Sequence, residues 1–108
     1  MQDGLYKVSF KTPLGTGAGI VYLIKGKIRG GDSSIAYIGD YQVDNDDFAA
    51  TVRTQLHTKV QGITSVFGKD SVNILLKGKV TGDAGQMTGT SPEAPGVSFS
   101  ATFSRLSD

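Results

Sequence analysis

The sequence of 108 residues contains no cysteine and no tryptophan, and its only histidine is His57. Without cysteine the chain has no disulfide, no zinc site built on thiolates and no cysteine nucleophile. Lys and Arg number 11 against 10 Asp and Glu. A net charge so close to zero gives little long-range attraction to nucleic acid or to an anionic membrane, so we expect neither as a direct partner.

Long hydrophobic runs are also lacking. The opening segment MQDGLYKVSF alternates polar and apolar side chains, whereas a secretory signal places a basic segment before an apolar one. No stretch reaches the roughly 20 apolar residues of a membrane-spanning helix. We expect an unexported, cytoplasmic protein with a single domain over residues 1–108, a length that suits one hydrophobic core.

Polar and apolar side chains do alternate, with a period of two residues, along most of the sequence. In the first predicted strand Tyr6, Val8 and Phe10 share one face, with polar side chains between them. The same alternation predicts strands on both sides of a Lys25-Gly26 turn, and over 35–43, 48–60, 72–80 and 97–103. The segment TGDAGQMTGTSPEAPG (81–96) is predicted to be a mobile loop.

Seven or eight short strands without a convincing helix predict an all-β protein. Closure of the sheet would cover its apolar face and remove its exposed edges. We therefore predict an antiparallel up-and-down β-barrel of about eight strands. Glycines inside the strands are interpreted as bending points or close approaches of another backbone: Gly17, Gly19, Gly30, Gly31 and Gly39.

No pattern of side chains points to catalysis or to a metal. GTGAG at 15–19 is not a dinucleotide fingerprint, because Ile20 stands where the third glycine belongs and a strand follows. His57, on the polar face of its predicted strand, has no second histidine or cysteine to complete a site. Ser33 and Ser34 lack the G-x-S-x-G context of a hydrolase elbow. We expect no enzyme activity, no cofactor and no metal.

Three stretches resemble the GrlR-like family of negative regulators of type III secretion: DGLYKVSF (3–10), GKIRGGDSSIAYIGDY (26–41) and VDNDDF (43–48). The G-x-I-x-G-G-D element is the most specific part, and it consists of Gly26, Ile28, Gly30, Gly31 and Asp32. The resemblance covers approximately residues 3–80. It implies a bacterial, lipocalin-like barrel that forms a homodimer and binds a protein without catalysing a reaction.

The family resemblance also implies a binding site. In the enterobacterial member of this family, an exposed run of four carboxylates at this hairpin is tied to the capture of a transcriptional activator, which is held away from its promoter. The matching positions are Asp44, Asn45, Asp46 and Asp47, and Asn45 removes one of the four charges. The resemblance therefore implies sequestration of a protein partner, such as a transcriptional activator, through an acidic hairpin.

A second hypothesis comes from the barrel itself. Closed barrels of about eight strands are wide enough to hold one small ligand. The residues predicted to line the interior are Tyr6, Val8, Phe10, Phe99 and Phe103. If they leave a void rather than packing together, the protein is a carrier of a small apolar ligand or lipid.

Overall fold

The computed structural model describes residues 1–13, 15–59 and 71–108. These residues form β1 (Gly4–Thr12), β2 (Gly15–Ile24), β3 (Lys27–Gly31), β4 (Ile35–Asp44), β5 (Asp47–Leu56), β6 (Ser71–Thr81), β7 (Ala84–Thr90) and β8 (Ser98–Ser107). Each strand pairs antiparallel with the next, and β8 pairs with β1 to close the barrel. The predicted all-β, eight-stranded antiparallel barrel is confirmed. No helix formed by the described residues has the length and apolar character to cross a membrane.

Strict alternation along the strands decides which side chains enter the barrel. In β5, Phe48, Ala50, Val52 and Thr54 are buried and the residues between them are exposed. Inside the barrel Phe103 contacts the ring of Tyr6 edge to face, with centroids 5.8 Å apart, and lies 5.2 Å from that of Phe48. Aromatic pairs at these distances add stability beyond the area they bury.

The two ends of the barrel differ in their connections. At one end, which we call the hairpin end, two-residue turns at 25–26, 45–46 and 82–83 join successive strands. The φ angles of Lys25 (49°) and Gly26 (81°) are positive, as a tight hairpin turn requires, and the predicted Lys25-Gly26 turn is confirmed. The opposite end, which we call the mouth end, carries the connections 32–34 and 91–97.

The predicted mobile loop over 81–96 is wrong, because β7 occupies Ala84–Thr90 within it and pairs with β6 and β8. The sequence of this strand does not alternate between polar and large apolar residues, because two of its inward positions are glycine. A Cβ at Gly85 would lie 2.5 Å from the Phe103 ring, and one at Gly89 would lie 2.5 Å from the Phe99 ring. Rings from β8 thus fill the space that large β7 side chains would otherwise occupy.

The strand predicted over 48–60 is too long. β5 ends at Leu56, because the chain turns there toward the β3–β4 connection. The amides of His57 and Thr58 both donate to the carbonyl oxygen of Ser34, at 2.9 and 3.3 Å. The predicted turn or helical turn in QGITSVFGKD (61–70), like Val60, lies outside the described residues.

The strand glycines have two different roles. At Gly39 and Gly30 a Cβ would lie 2.2 Å and 2.0 Å from a carbonyl oxygen of the neighbouring strand, which is the close backbone approach that was predicted. At Gly17 and Gly19 it would instead strike the rings of Phe10 and Tyr37. These two glycines therefore make room for aromatic side chains, a role that the prediction missed.

Candidate functional site

The barrel encloses a cavity of about 280 Å³. Its lining is mainly apolar, and Phe10 meets Tyr37 there edge to face with ring centroids 6.1 Å apart. Polar groups are confined to the mouth end: Thr16, Asp32, Ser33, Ser34 and Thr54. Of the lining side chains that the structure describes, only that of Asp32 carries a charge.

In the part of the chain that the structure describes, the cavity opens at the mouth end. Val8, Phe10 and Leu76 face the interior and yet are only half-buried, and the mouth residues Thr16 and Ser33 are exposed. The hairpin end is filled, because Tyr6 is completely buried there and donates its hydroxyl to the carbonyl oxygen of Gln2 at 2.5 Å. A ligand would therefore enter at the mouth end.

Asp32 organises the β3–β4 connection at the edge of the cavity. Its Oδ1 accepts hydrogen bonds from the amides of Ser34 (2.9 Å) and Ile35 (2.7 Å). Its Oδ2 accepts one from the hydroxyl of the buried Tyr37 at 2.5 Å. The carboxylate thus fixes both the turn and the orientation of the Tyr37 ring.

These hydrogen bonds keep Asp32 ionised. Partial burial alone would raise the pKa of Asp32, but the bonds from Tyr37, Ser34 and Ile35 favour the charged form and together lower the pKa below its usual value. Burial raises the pKa of Tyr37, and its bond to Asp32 raises it further. The pair therefore consists of a carboxylate and a neutral phenol.

His57 and Ser34 tie the end of β5 to this connection. His57 is exposed, as predicted, but it follows β5 instead of lying within it. Its Nε2 lies 3.0 Å from the Asp32 carbonyl oxygen, which only accepts, so Nε2 is the donor. The buried Ser34 donates its hydroxyl to the Thr58 carbonyl oxygen at 2.9 Å. Both side chains bind backbone across the mouth of the barrel.

The acidic hairpin, Asp44–Asp47, lies at the opposite end of the barrel. All four residues are exposed, and Asn45 has a positive φ of 56° that sets the turn. Asp47 forms an ion pair with Lys79 on β6. Within residues 1–13, 15–59 and 71–108, Asp44 and Asp46 form no ion pair. Asp44 and Asp46 are thus the two carboxylates of the hairpin without an ion pair among these residues, although the charge of Lys79 also acts on Asp46.

A third feature is an outer apolar face on β1, β2 and β4. Ile20, Tyr22 and Ile24 alternate on the outside of β2 and are 37–41% exposed. The half-buried Leu5 pairs with Tyr22, and Arg29 on β3 lies between Tyr22 and Ile38. The outer apolar face consists of Leu5, Ile20, Tyr22, Ile24, Ala36 and Ile38.

The structure separates the two predicted sites. Val8, Phe10, Phe99 and Phe103 line the cavity, whereas Tyr6 does not and packs beneath it against Phe103. The sequence reasoning missed the pairing of Asp32 with Tyr37, although an Asp followed by two serines is a typical signal for a carboxylate that caps the next amides. The described residues hold no cluster of three or more His, Asp or Glu side chains suited to a metal ion.

No protein-family model matches the chain, and a comparison with curated proteins finds no match either. The resemblance to GrlR-like regulators therefore stays a prediction.

Proposed function

We propose that the protein is a non-catalytic regulator of the GrlR-like type that sequesters a protein partner, such as a transcriptional activator, through the acidic hairpin. One observation carries the proposal: Asp44 and Asp46 are exposed on a tight turn of a closed barrel and have no ion-pair partner among the described residues. The rigid turn limits the entropy lost when a partner binds.

The physical mechanism combines charge with apolar contact. Carboxylates on a rim steer a basic surface and fix its register, but each exposed pair adds little affinity. Val43 supplies an apolar contact, since it is 36% exposed directly beside the hairpin. A DNA-binding activator has a basic surface of the kind that this hairpin would attract and keep from DNA.

Affinity capture from the native host tests this proposal. We expect the wild-type protein to retain a basic DNA-binding protein, and Asp44→Asn with Asp46→Asn to weaken its binding by roughly two- to thirtyfold, the range for two exposed pairs. Added salt should weaken it as well. Equal retention by the double variant at low salt would refute the hairpin as the binding site.

The ion pair of Asp47 provides a matched control. Asp47→Asn removes a charge that Lys79 already balances, so this variant should lose less binding than Asp44→Asn. Lys79→Gln leaves the Asp47 carboxylate unpaired and should strengthen binding. If Asp47→Asn proves the most damaging of the single variants, the partner replaces Lys79 and the charge argument is wrong.

We also propose that the protein forms a homodimer through the outer apolar face. Exposed apolar side chains such as Ile20, Tyr22 and Ile24, grouped on one face of a protein, are typical of interaction sites. A second copy is the partner we favour, because the near-zero net charge of the chain gives little self-repulsion. Ile20→Lys should yield a monomer in sedimentation experiments at micromolar concentration, whereas Thr51→Lys, exposed on β5, should not.

The cavity supports a second function, the binding of a small apolar molecule. Its apolar lining and its access from the mouth end are features of a ligand site, and its volume of about 280 Å³ has room for a small molecule. Native mass spectrometry of the protein purified from its host tests this function. A stoichiometric bound mass that leaves on unfolding supports it.

A further inference from the structure

We propose that the cavity selects an uncharged apolar molecule bearing one hydrogen-bond donor and rejects carboxylic acids, including fatty acids. This inference rests on the second proposed function, the binding of a small apolar molecule. It concerns the chemical class of the ligand and where its polar group lies.

The size of the ligand follows from the volume of the cavity. An engineered cavity of about 150 Å³ in another protein holds benzene. The cavity here, at about 280 Å³, is nearly twice as large. It therefore suits a molecule of about a dozen non-hydrogen atoms, such as an alkyl chain of ten carbons with a small polar group.

The orientation of the ligand follows from where the polar groups lie. The floor of the cavity consists of Phe48 and Phe103, and an apolar tail there displaces no hydrogen bond. The head group then lies at the mouth end, beside Asp32 and the exposed Ser33. Ligand pockets typically fix orientation in this way, with a few polar groups on an otherwise apolar wall.

The charge of Asp32 decides between ligand classes. The lining residues that the structure describes include no Lys and no Arg to balance an anionic head group. A ligand carboxylate would meet the ionised Asp32 at the half-buried edge of the cavity, where like charges repel each other. A hydroxyl group instead finds an acceptor, since Oδ2 accepts one hydrogen bond from Tyr37 and can accept another.

The test compares 1-decanol with decanoate by isothermal titration calorimetry at pH 7. The two share a ten-carbon chain and differ in the charge of the head group. We expect decanol to bind at least about tenfold more tightly to the wild-type protein, the effect of a modest like-charge repulsion. This ratio is measured on the unmodified chain, so it does not depend on any variant folding.

Two variants assign the discrimination to Asp32. In Asp32→Asn the amide oxygen still accepts from Ser34 and Ile35 while the charge is lost, and the ratio should fall below about threefold. Asp40→Asn is the control: it removes the same charge from the exposed outer face, and the ratio should stay unchanged. Val8→Phe fills the cavity and should abolish binding of both ligands.

The possible failures are distinct. Equal affinity for decanol and decanoate overturns the selectivity while leaving a ligand-binding barrel. Binding of neither compound overturns the ligand function itself. Unchanged binding to Val8→Phe places the ligand outside the cavity and overturns both.

Discussion

Replacing Tyr37 by Phe tests its hydrogen bond to Asp32 at the mouth end of the barrel. The hydroxyl donates to Asp32 at 2.5 Å from a side chain that is only 7% exposed. Hydrogen bonds to charged groups contribute about 1.5–3 kcal/mol. Since water still reaches the half-buried Asp32, we expect a loss of about 1.5–2 kcal/mol at pH 7, which is roughly 6–16 °C in Tm for a domain of this size.

Urea unfolding followed by far-ultraviolet circular dichroism measures this loss. The same substitution in an Asp32→Asn background should cost only about 0.5–1 kcal/mol, because the bond then joins two neutral groups. The difference between the two backgrounds is the coupling energy of the pair. Equal losses in both would refute the charge-assisted bond and assign the effect of the hydroxyl to packing alone.

Three further predictions concern stability. Because the folded protein lowers the pKa of Asp32, its stabilisation is complete above the unfolded pKa of about 3.9 and disappears as the pH falls through the lower folded value. The free energies of unfolding of the wild type and Asp32→Asn should converge below pH 4 in acid titrations. Lys25→Asn should raise the free energy of unfolding by about 0.5–1 kcal/mol, since Asn tolerates the φ of 49° better than Lys does. An unchanged urea midpoint would contradict this. Gly39→Ala should lower the free energy of unfolding by about 1–3 kcal/mol, because the new Cβ meets a carbonyl oxygen of β5 that cannot move freely. A thermal melt like that of the wild type would contradict this.

Most of the barrel could be predicted from the sequence because its strands carry large inward side chains at every second position. β5, with Phe48, Val52 and polar residues between them, is an example. β7 could not be predicted by the same rule. Its inward glycines give no hydrophobic signal, and their partners, Phe99 and Phe103, come from a different strand. Periodicity within one segment cannot reveal packing that is shared between two.

The candidate site was predictable only in part. Val8, Phe10, Phe99 and Phe103 follow from alternation alone, and all four line the cavity. The pairing of Asp47 with Lys79 depends on the register of β5 against β6, residues that are 32 positions apart. Such pairs become visible only once the strands are aligned, and here the pair changes which carboxylates remain available.

The seam between β1 and β8 has a consequence for synthesis of the protein on the ribosome. Arg105 donates to the carbonyl oxygen of Asp3 across 102 positions of the chain, so the first strand finds its second neighbour only after nearly all of the described barrel has been translated. Until Ser98–Ser107 leaves the exit tunnel, β1 and β7 each present an unpaired edge to other nascent chains. Pauses in translation before this strand should therefore increase aggregation and the demand for chaperones.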